Sequence, residues 1–204
     1  MRPSRTVTEP PRHAPAPGDG WVQCACGSRH WGLHGAAGLL VARRTPGGAV
    51  THVLLQHRAP WSHHGGTWGI PGGARHPDED ATAAALREAG EEAGVPADAV
   101  RPFATRVLTH PNWSYTTVLA DEVHAFDARA TDAESLEIAW VPVADVAALD
   151  LLPAFAEAWP ALRAALDDRP ATSDVPGPGA ATVRGDARHT TQGGHPLPHG
   201  RSEE

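Results

Sequence analysis

Apolar positions fall in blocks separated by turn-forming residues. Ala36 to Ala42 (AAGLLVA) is an almost unbroken apolar run and predicts a buried strand. Thr45-Pro46-Gly47-Gly48 follows as a turn, and Val50 to Gln56 (VTHVLLQ) predicts its antiparallel partner. An alanine-rich stretch then predicts a helix. Asp78 is placed to cap its start, and Gly94 to end it in a left-handed conformation. Val100 to Thr109 and Tyr115 to Phe126 predict two more strands around the turn His110–Ser114, and Ile138 to Val143 predicts another. Val143–Leu149 and Ala154–Leu166 predict short helices. In the second, Phe155, Trp159, Leu162 and Leu166 repeat at helical spacing and make one apolar face. Strands, a helix, more strands and terminal helices predict an α/β fold with a mixed sheet covered on both faces. No internal repeat is present.

The two ends lack this patterning. Residues 1–20 are rich in proline and arginine, and 167–204 mix proline, glycine, histidine and aspartate without period. Both are expected to be disordered. His189, His195 and His199 of the tail are too dispersed to define a metal site. The expected organisation is a lead at 1–20, a Cys/His-containing extension at 21–34, one domain at 35–166 and a tail at 167–204.

Charge narrows the function. The formal net charge is −7, and all 17 basic residues are arginine. A nucleic-acid binder needs a basic surface to release counterions, so that class is disfavoured. With no lysine, Schiff-base chemistry and a lysine phosphate loop are excluded. A small phosphorylated ligand stays open, because a metal can carry the positive charge locally. No apolar run is long enough to span a membrane and no signal peptide is visible, so a cytoplasmic enzyme is expected.

The chemistry concentrates between Gly73 and Val95 (GARHPDEDATAAALREAGEEAGV). Glu88, Glu91 and Glu92 share one helix face, while Leu86, Ala89 and Ala93 point elsewhere and can pack on a core. Three crowded carboxylates repel, and a hard divalent cation is the natural agent to offset that. Arg87 can reach Glu91 one turn on. Gly72 and Gly73 let backbone approach a ligand closely, so the Gly73 carbonyl can add a further oxygen. The alternative is an acidic, solvated helix face.

This stretch resembles the Nudix box, Gly-x5-Glu-x7-Arg-Glu-U-x-Glu-Glu-x-Gly-U, where U is a bulky aliphatic. Gly73, Glu79, Arg87, Glu88, Glu91, Glu92, Gly94 and Val95 match, and only the first U departs, being Ala89. Trp68-Gly69-Ile70-Pro71-Gly72 resembles the usual lead-in. The likeness to MutT-like Nudix hydrolases spans about Gly35 to Leu166. It implies a Nudix α/β/α sandwich and metal-dependent hydrolysis of the diphosphate linkage in a nucleoside diphosphate joined to another moiety. Mg²⁺ or Mn²⁺ would be the cofactor and a small nucleotide the substrate. Glu88, Glu91 and Glu92 would hold the metal, with Arg87 and Glu79 orienting them. Glu88 or a downstream acid, Glu134 ahead of Glu137, would take the proton from water. The family often forms homodimers. A nucleotide-sensing module that has lost turnover is the competing reading, and RNA decapping is disfavoured by the acidic charge.

Three further segments carry candidates. In His57–Trp68, Arg58 can meet phosphate oxygens and Trp61 can stack on a base; adjacent His63 and His64 point apart and make a poor metal pair. Trp113 is read as packing ahead of base stacking. Cys24, Cys26 and His30 lie within seven residues and suit zinc, with His34 or a remote histidine as fourth ligand. Against zinc stands a loop packed by Trp21 and Trp31 with two ordinary reduced thiols.

Overall fold

The computed structural model describes residues 16–169. Its elements run β1 (Trp21–Gln23), β2 (Arg29–Trp31), β3 (Ala36–Arg44), β4 (Val50–Arg58), β5 (Trp68–Gly69), β6 (Gly72–Ala74), α1 (Ala81–Ala93), β7 (Val100–His110), β8 (Trp113–Glu122), β9 (Ser135–Pro142) and α2 (Pro153–Asp167). β1 and β2 form a separate antiparallel hairpin. The other seven strands form one mixed sheet, with path β5-β4-β3-β8-β7, β6 on β3 and β9 on β4. β3 and β8 pair in parallel, Leu39 opposite Val118, and the remaining pairs of this sheet are antiparallel.

The unbroken apolar runs follow from burial on both faces. Along β3, Ala37, Leu39 and Val41 pack toward α1, while Leu40 and Ala42 pack in the cluster that holds α2. β4 and β8 divide by the same parity: Leu54, Val118 and Ala120 face α1, and Val53, Leu55 and Leu119 face α2. Helix α1 lays Ala84, Ala85, Ala89 and Ala93 on the sheet. Small side chains bring its backbone close to β3 and β6. Ala89, the position where the motif expects a bulky aliphatic, is fully buried in this contact. On the far face Phe155, Trp159, Leu162 and Leu166 of α2 are all buried. The fold is therefore the expected α/β/α sandwich.

Three local expectations are corrected, and short strands are added in two segments. The N-cap of α1 is Asp80, not Asp78: its Oδ1 accepts from the amides of Thr82 (2.8 Å) and Ala83 (3.0 Å). Asp78 sits two residues earlier in a left-handed turn, at φ 62°. Of Val143–Leu149 only Val146–Ala148 closes, as a single 3₁₀ turn. Residues 21–31 and 68–74 contain short strands that the sequence did not disclose, because two or three residues cannot display an alternation. Of the expected disordered lead, residues 16–20 are hydrogen-bonded, with Gly18 and Gly20 carbonyls accepting from Leu33 and Gly32. Residues 1–15 and 170–204, with His189, His195 and His199, lie outside the described residues. Among the described residues no helix is long and apolar enough to cross a membrane.

Candidate active site

The site forms where α1 crosses the Gly72–Gly73 strand. β6 pairs antiparallel with β3, Gly73 opposite Ala37 and Gly72 opposite Gly38. That pairing presses the two glycines between sheet and helix. A Cβ on Gly72 would come 2.5 Å from the Ala37 carbonyl oxygen, and one on Gly73 would come 2.7 Å from a carboxylate oxygen of Glu88. A side chain on Gly72 would run into backbone, and one on Gly73 would displace the Glu88 carboxylate. The Gly72 amide donates to Glu92 Oε2 at 2.8 Å. The helix and the glycine strand are thus joined through the carboxylates themselves.

Arg87 organises the rest. Its Nε and Nη2 donate to the two oxygens of Glu79, at 2.9 and 3.0 Å, and Nη2 also reaches the Ala74 carbonyl at 3.0 Å. Its Nη1 donates to Glu88 (2.7 Å) and Glu91 (3.2 Å). One planar guanidinium therefore fixes three glutamates, a task suited to its fork of donors. Glu79 also accepts from the His76 amide at 3.0 Å, which ties the turn before α1 to the same cluster. The bond to Arg87 first of all, opposed by burial, holds the Glu79 carboxyl down at about 2. The same bond raises Arg87 above its ordinary value.

Glu88, Glu91 and Glu92 differ in setting. Glu92 is buried, and burial followed by the charge of Glu88 pushes its carboxyl up to about 8. Glu88 is also raised, chiefly by burial, against the pull of Arg87. Glu91 lies at the rim with a side chain 62% exposed. Among the described residues, the hydrogen bond from Gly72 is the only one that the Glu92 carboxylate accepts. A buried carboxylate, a half-buried one, a rim carboxylate and adjacent glycine backbone are an all-oxygen donor set short of positive charge. That set fits a hard divalent cation.

The other predicted residues spread around this centre. Arg58, at the end of β4, is near enough for its charge to oppose the upward shift of Glu92. Its Nε donates to the His63 carbonyl at 3.0 Å, which closes the 59–67 loop. Trp61 projects from that loop, 49% exposed. His63 and His64 are in ring contact with each other at 4.1 Å. Trp68 stacks on His57 and packs against the core. Glu134 is exposed; its amide donates to Asp132 and its carbonyl accepts from Ala59. Glu137 is exposed in β9, opposite His57.

Two acids escaped the sequence reading. Asp132 adds to the upward shift of Glu92, and Asp19 adds to that of Glu88. Asp132 is brought in by contacts at the end of α1: the Thr131 amide donates to the Glu92 carbonyl, and its hydroxyl to the Glu91 carbonyl. Each aspartate is more than 35 residues from its glutamate, so no spacing rule could reveal it.

Comparison with known proteins agrees with this geometry. A NUDIX domain family model matches residues 32–164. The chain is 48% identical over 165 residues to a nucleoside triphosphate pyrophosphatase/Nudix hydrolase fusion protein of Bifidobacterium longum, covering 79% of this chain but 34% of the fusion protein. It thus spans about a third of that relative's length. It is 47% identical over 154 residues to a putative 8-oxo-dGTP diphosphatase 3 of Mycobacterium tuberculosis, covering 72% of this chain and 70% of that protein. Among solved structures, the Nudix hydrolase RenU of M. smegmatis superimposes with a TM-score of 0.65 at 47% identity, over 72% of this chain and 94% of that one.

Proposed function

The chain belongs to the Nudix family, and from that premise we propose that it hydrolyses the diphosphate linkage of a nucleoside diphosphate joined to another moiety, using Mg²⁺ or Mn²⁺. The observation that carries the proposal is the buried Glu92 and the half-buried Glu88 carboxylate, both set against the Gly72–Gly73 backbone. Glu88, Glu91, Glu92 and the Gly73 carbonyl would hold the ion. When bound, it neutralises charge on the phosphate oxygens and makes water easier to deprotonate.

The chain's own residues do the remaining work. Arg87 and Glu79 lock the glutamates in place, so no reorganisation is needed during the reaction. Arg58 meets phosphate oxygens, and Trp61 offers an exposed face for the base. Glu88 takes the proton from the attacking water, with Glu134 the alternative base if its loop swings inward. The relatives' names make oxidised and ordinary nucleoside triphosphates the first substrates to try.

The test is a panel of 8-oxo-dGTP, dNTPs, ADP-ribose and dinucleoside polyphosphates, each incubated with Mg²⁺ or Mn²⁺. The expected result is metal-dependent release of a nucleoside phosphate from at least one of them. Tight binding without cleavage of any would overturn hydrolysis and leave the nucleotide-sensing reading.

A further inference from the structure

A second cluster, chemically unlike the first, sits at the tip of the β1–β2 hairpin. Cys24 to Ser28 make its turn. Gly27, at φ 89°, reverses the chain, its amide donates to the Cys24 carbonyl at 3.0 Å, and the Cys24 amide donates to the Ser28 carbonyl at 3.0 Å. This closure faces both sulfurs toward His30 on β2. One donor atom from each of Cys24, Cys26 and His30 lies within 4.8 Å of the other two, and Cys26 Sγ is 3.3 Å from His30 Nε2.

The surroundings hold these atoms in place. Cys24 is buried. The His30 ring stacks on Trp113, with centroids 4.5 Å apart and planes 12° from parallel. The Ala25 amide donates to Asn112 Oδ1 (2.9 Å), and Trp113 Nε1 donates to the Trp31 carbonyl (3.0 Å). The hairpin tip is thus clamped onto the β7–β8 turn. Yet β1 and β2 have three residues each, and a two-stranded hairpin is marginally stable in water. The donor set is two thiols and an imidazole with no carboxylate, which selects a thiophilic ion rather than Mg²⁺, Ca²⁺ or Mn²⁺.

We propose that Cys24, Cys26 and His30 bind a zinc-class ion that staples this hairpin, independently of the nucleotide reaction. The His110 ring lies 4.3 Å from that of His30, but its nitrogens fall outside the mutually close set, which leaves three protein donors. The single residue between the cysteines is tighter than the usual two-to-four spacing, and the left-handed Gly27 is what lets both sulfurs converge. Binding releases the two thiol protons to solvent.

The test uses the full chain purified without a histidine tag. Elemental analysis is expected to find about one equivalent of zinc, with Cys24→Ser and Cys26→Ser each retaining less than about a tenth. Since either variant can misfold, wild-type protein is also stripped with a chelator and titrated with Co²⁺. Thiolate-to-cobalt charge-transfer absorption saturating near one equivalent supports the site. Zinc below about a tenth of an equivalent in the wild type, absence of that absorption, or a Cys24–Cys26 disulfide in freshly purified protein would each overturn it.

Discussion

The chain places metal-prone donors in two regions built on opposite principles. On helix α1 the donors are oxygens. They run from buried Glu92 to rim-exposed Glu91, two of them are held by Arg87 and the third by the Gly72 amide, and they rest on a helix packed through four alanines onto a seven-stranded sheet. At the hairpin tip the donors are sulfur and imidazole, on a two-stranded sheet clamped to the core by a stacked ring and two hydrogen bonds. The first region inherits its rigidity from the core and spends it on holding like charges together. The second has little rigidity of its own and gains it from whatever joins its donors. The difference teaches that an ion bound as proposed would play opposite parts in the two: it would relieve a strained, preorganised site in one and organise a loose site in the other.

The sharpest way to break this contrast is to change one region and read both. Glu92→Gln is expected to lower kcat by at least about tenfold, because it removes a charged oxygen from the metal face. Its zinc content should not change. Cys26→Ser is expected to lose zinc while kcat stays within about threefold, since separated sites behave additively. Steady-state kinetics and elemental analysis on the same preparations check both. Near-normal turnover in Glu92→Gln would sink the assignment of the metal face.

A backbone test comes next in size. Gly73→Ala puts a methyl group where only 2.7 Å separates it from the Glu88 carboxylate. Glu88 must move, so kcat should fall several-fold while the apolar core stays packed. Circular dichroism and kcat together separate displaced chemistry from lost fold, and unchanged kcat would show that Glu88 has slack.

The pH dependence of stability tests the strain directly. Glu92 sits at about 8 in the fold against 4.5 for the free side chain, because burial and Glu88 disfavour its charge. Between those values the native state holds a proton that the unfolded chain has released, so stability falls as pH rises from 4.5 through about 8. Glu79 runs the other way: its contribution is complete above 4.5 and is lost as pH falls toward about 2. Metal-free protein should therefore lose melting temperature from pH 5 to pH 8, and Mg²⁺ should restore more of it at pH 8 than at pH 5. Differential scanning fluorimetry checks this, and an equal Mg²⁺ shift at both values would contradict it.

How much could be read beforehand follows the same division. The clustering of Glu88, Glu91 and Glu92 was legible because all three lie on one helix, where fixed spacing becomes fixed geometry. Arg87 reaching Glu91, Gly94 ending the helix at φ 65° and the α2 face were all local facts. Strands β3 and β4 were legible as long apolar runs, and the structure adds which residue faces which helix. Asp19 and Asp132 were not legible, since only tertiary folding brings them beside Glu88 and Glu92. At the hairpin, composition suggested soft donors, but the role of Asn112 and Trp113 as a clamp needed contacts across more than eighty residues.

The smallest effect concerns the cap that sequence reading assigned two residues too early. Both aspartates precede the alanine run, and Ncap preference alone cannot rank them. What decides is Glu79, whose carboxylate must turn back to Arg87 and the His76 amide. The chain satisfies that by turning left-handed at Asp78, which leaves Asp80 extended and facing the free amides of Thr82 and Ala83. Asp80→Ala should cost about 1 kcal/mol, roughly 2–4 °C in melting temperature for a domain of this size. Asp78→Gly, at a position where glycine is at ease, should change stability by less than about 0.5 kcal/mol. If Asp78→Gly proves the more damaging of the two, Asp78 has a partner beyond its own turn, and the catalytic region is less self-contained than its contrast with the hairpin requires.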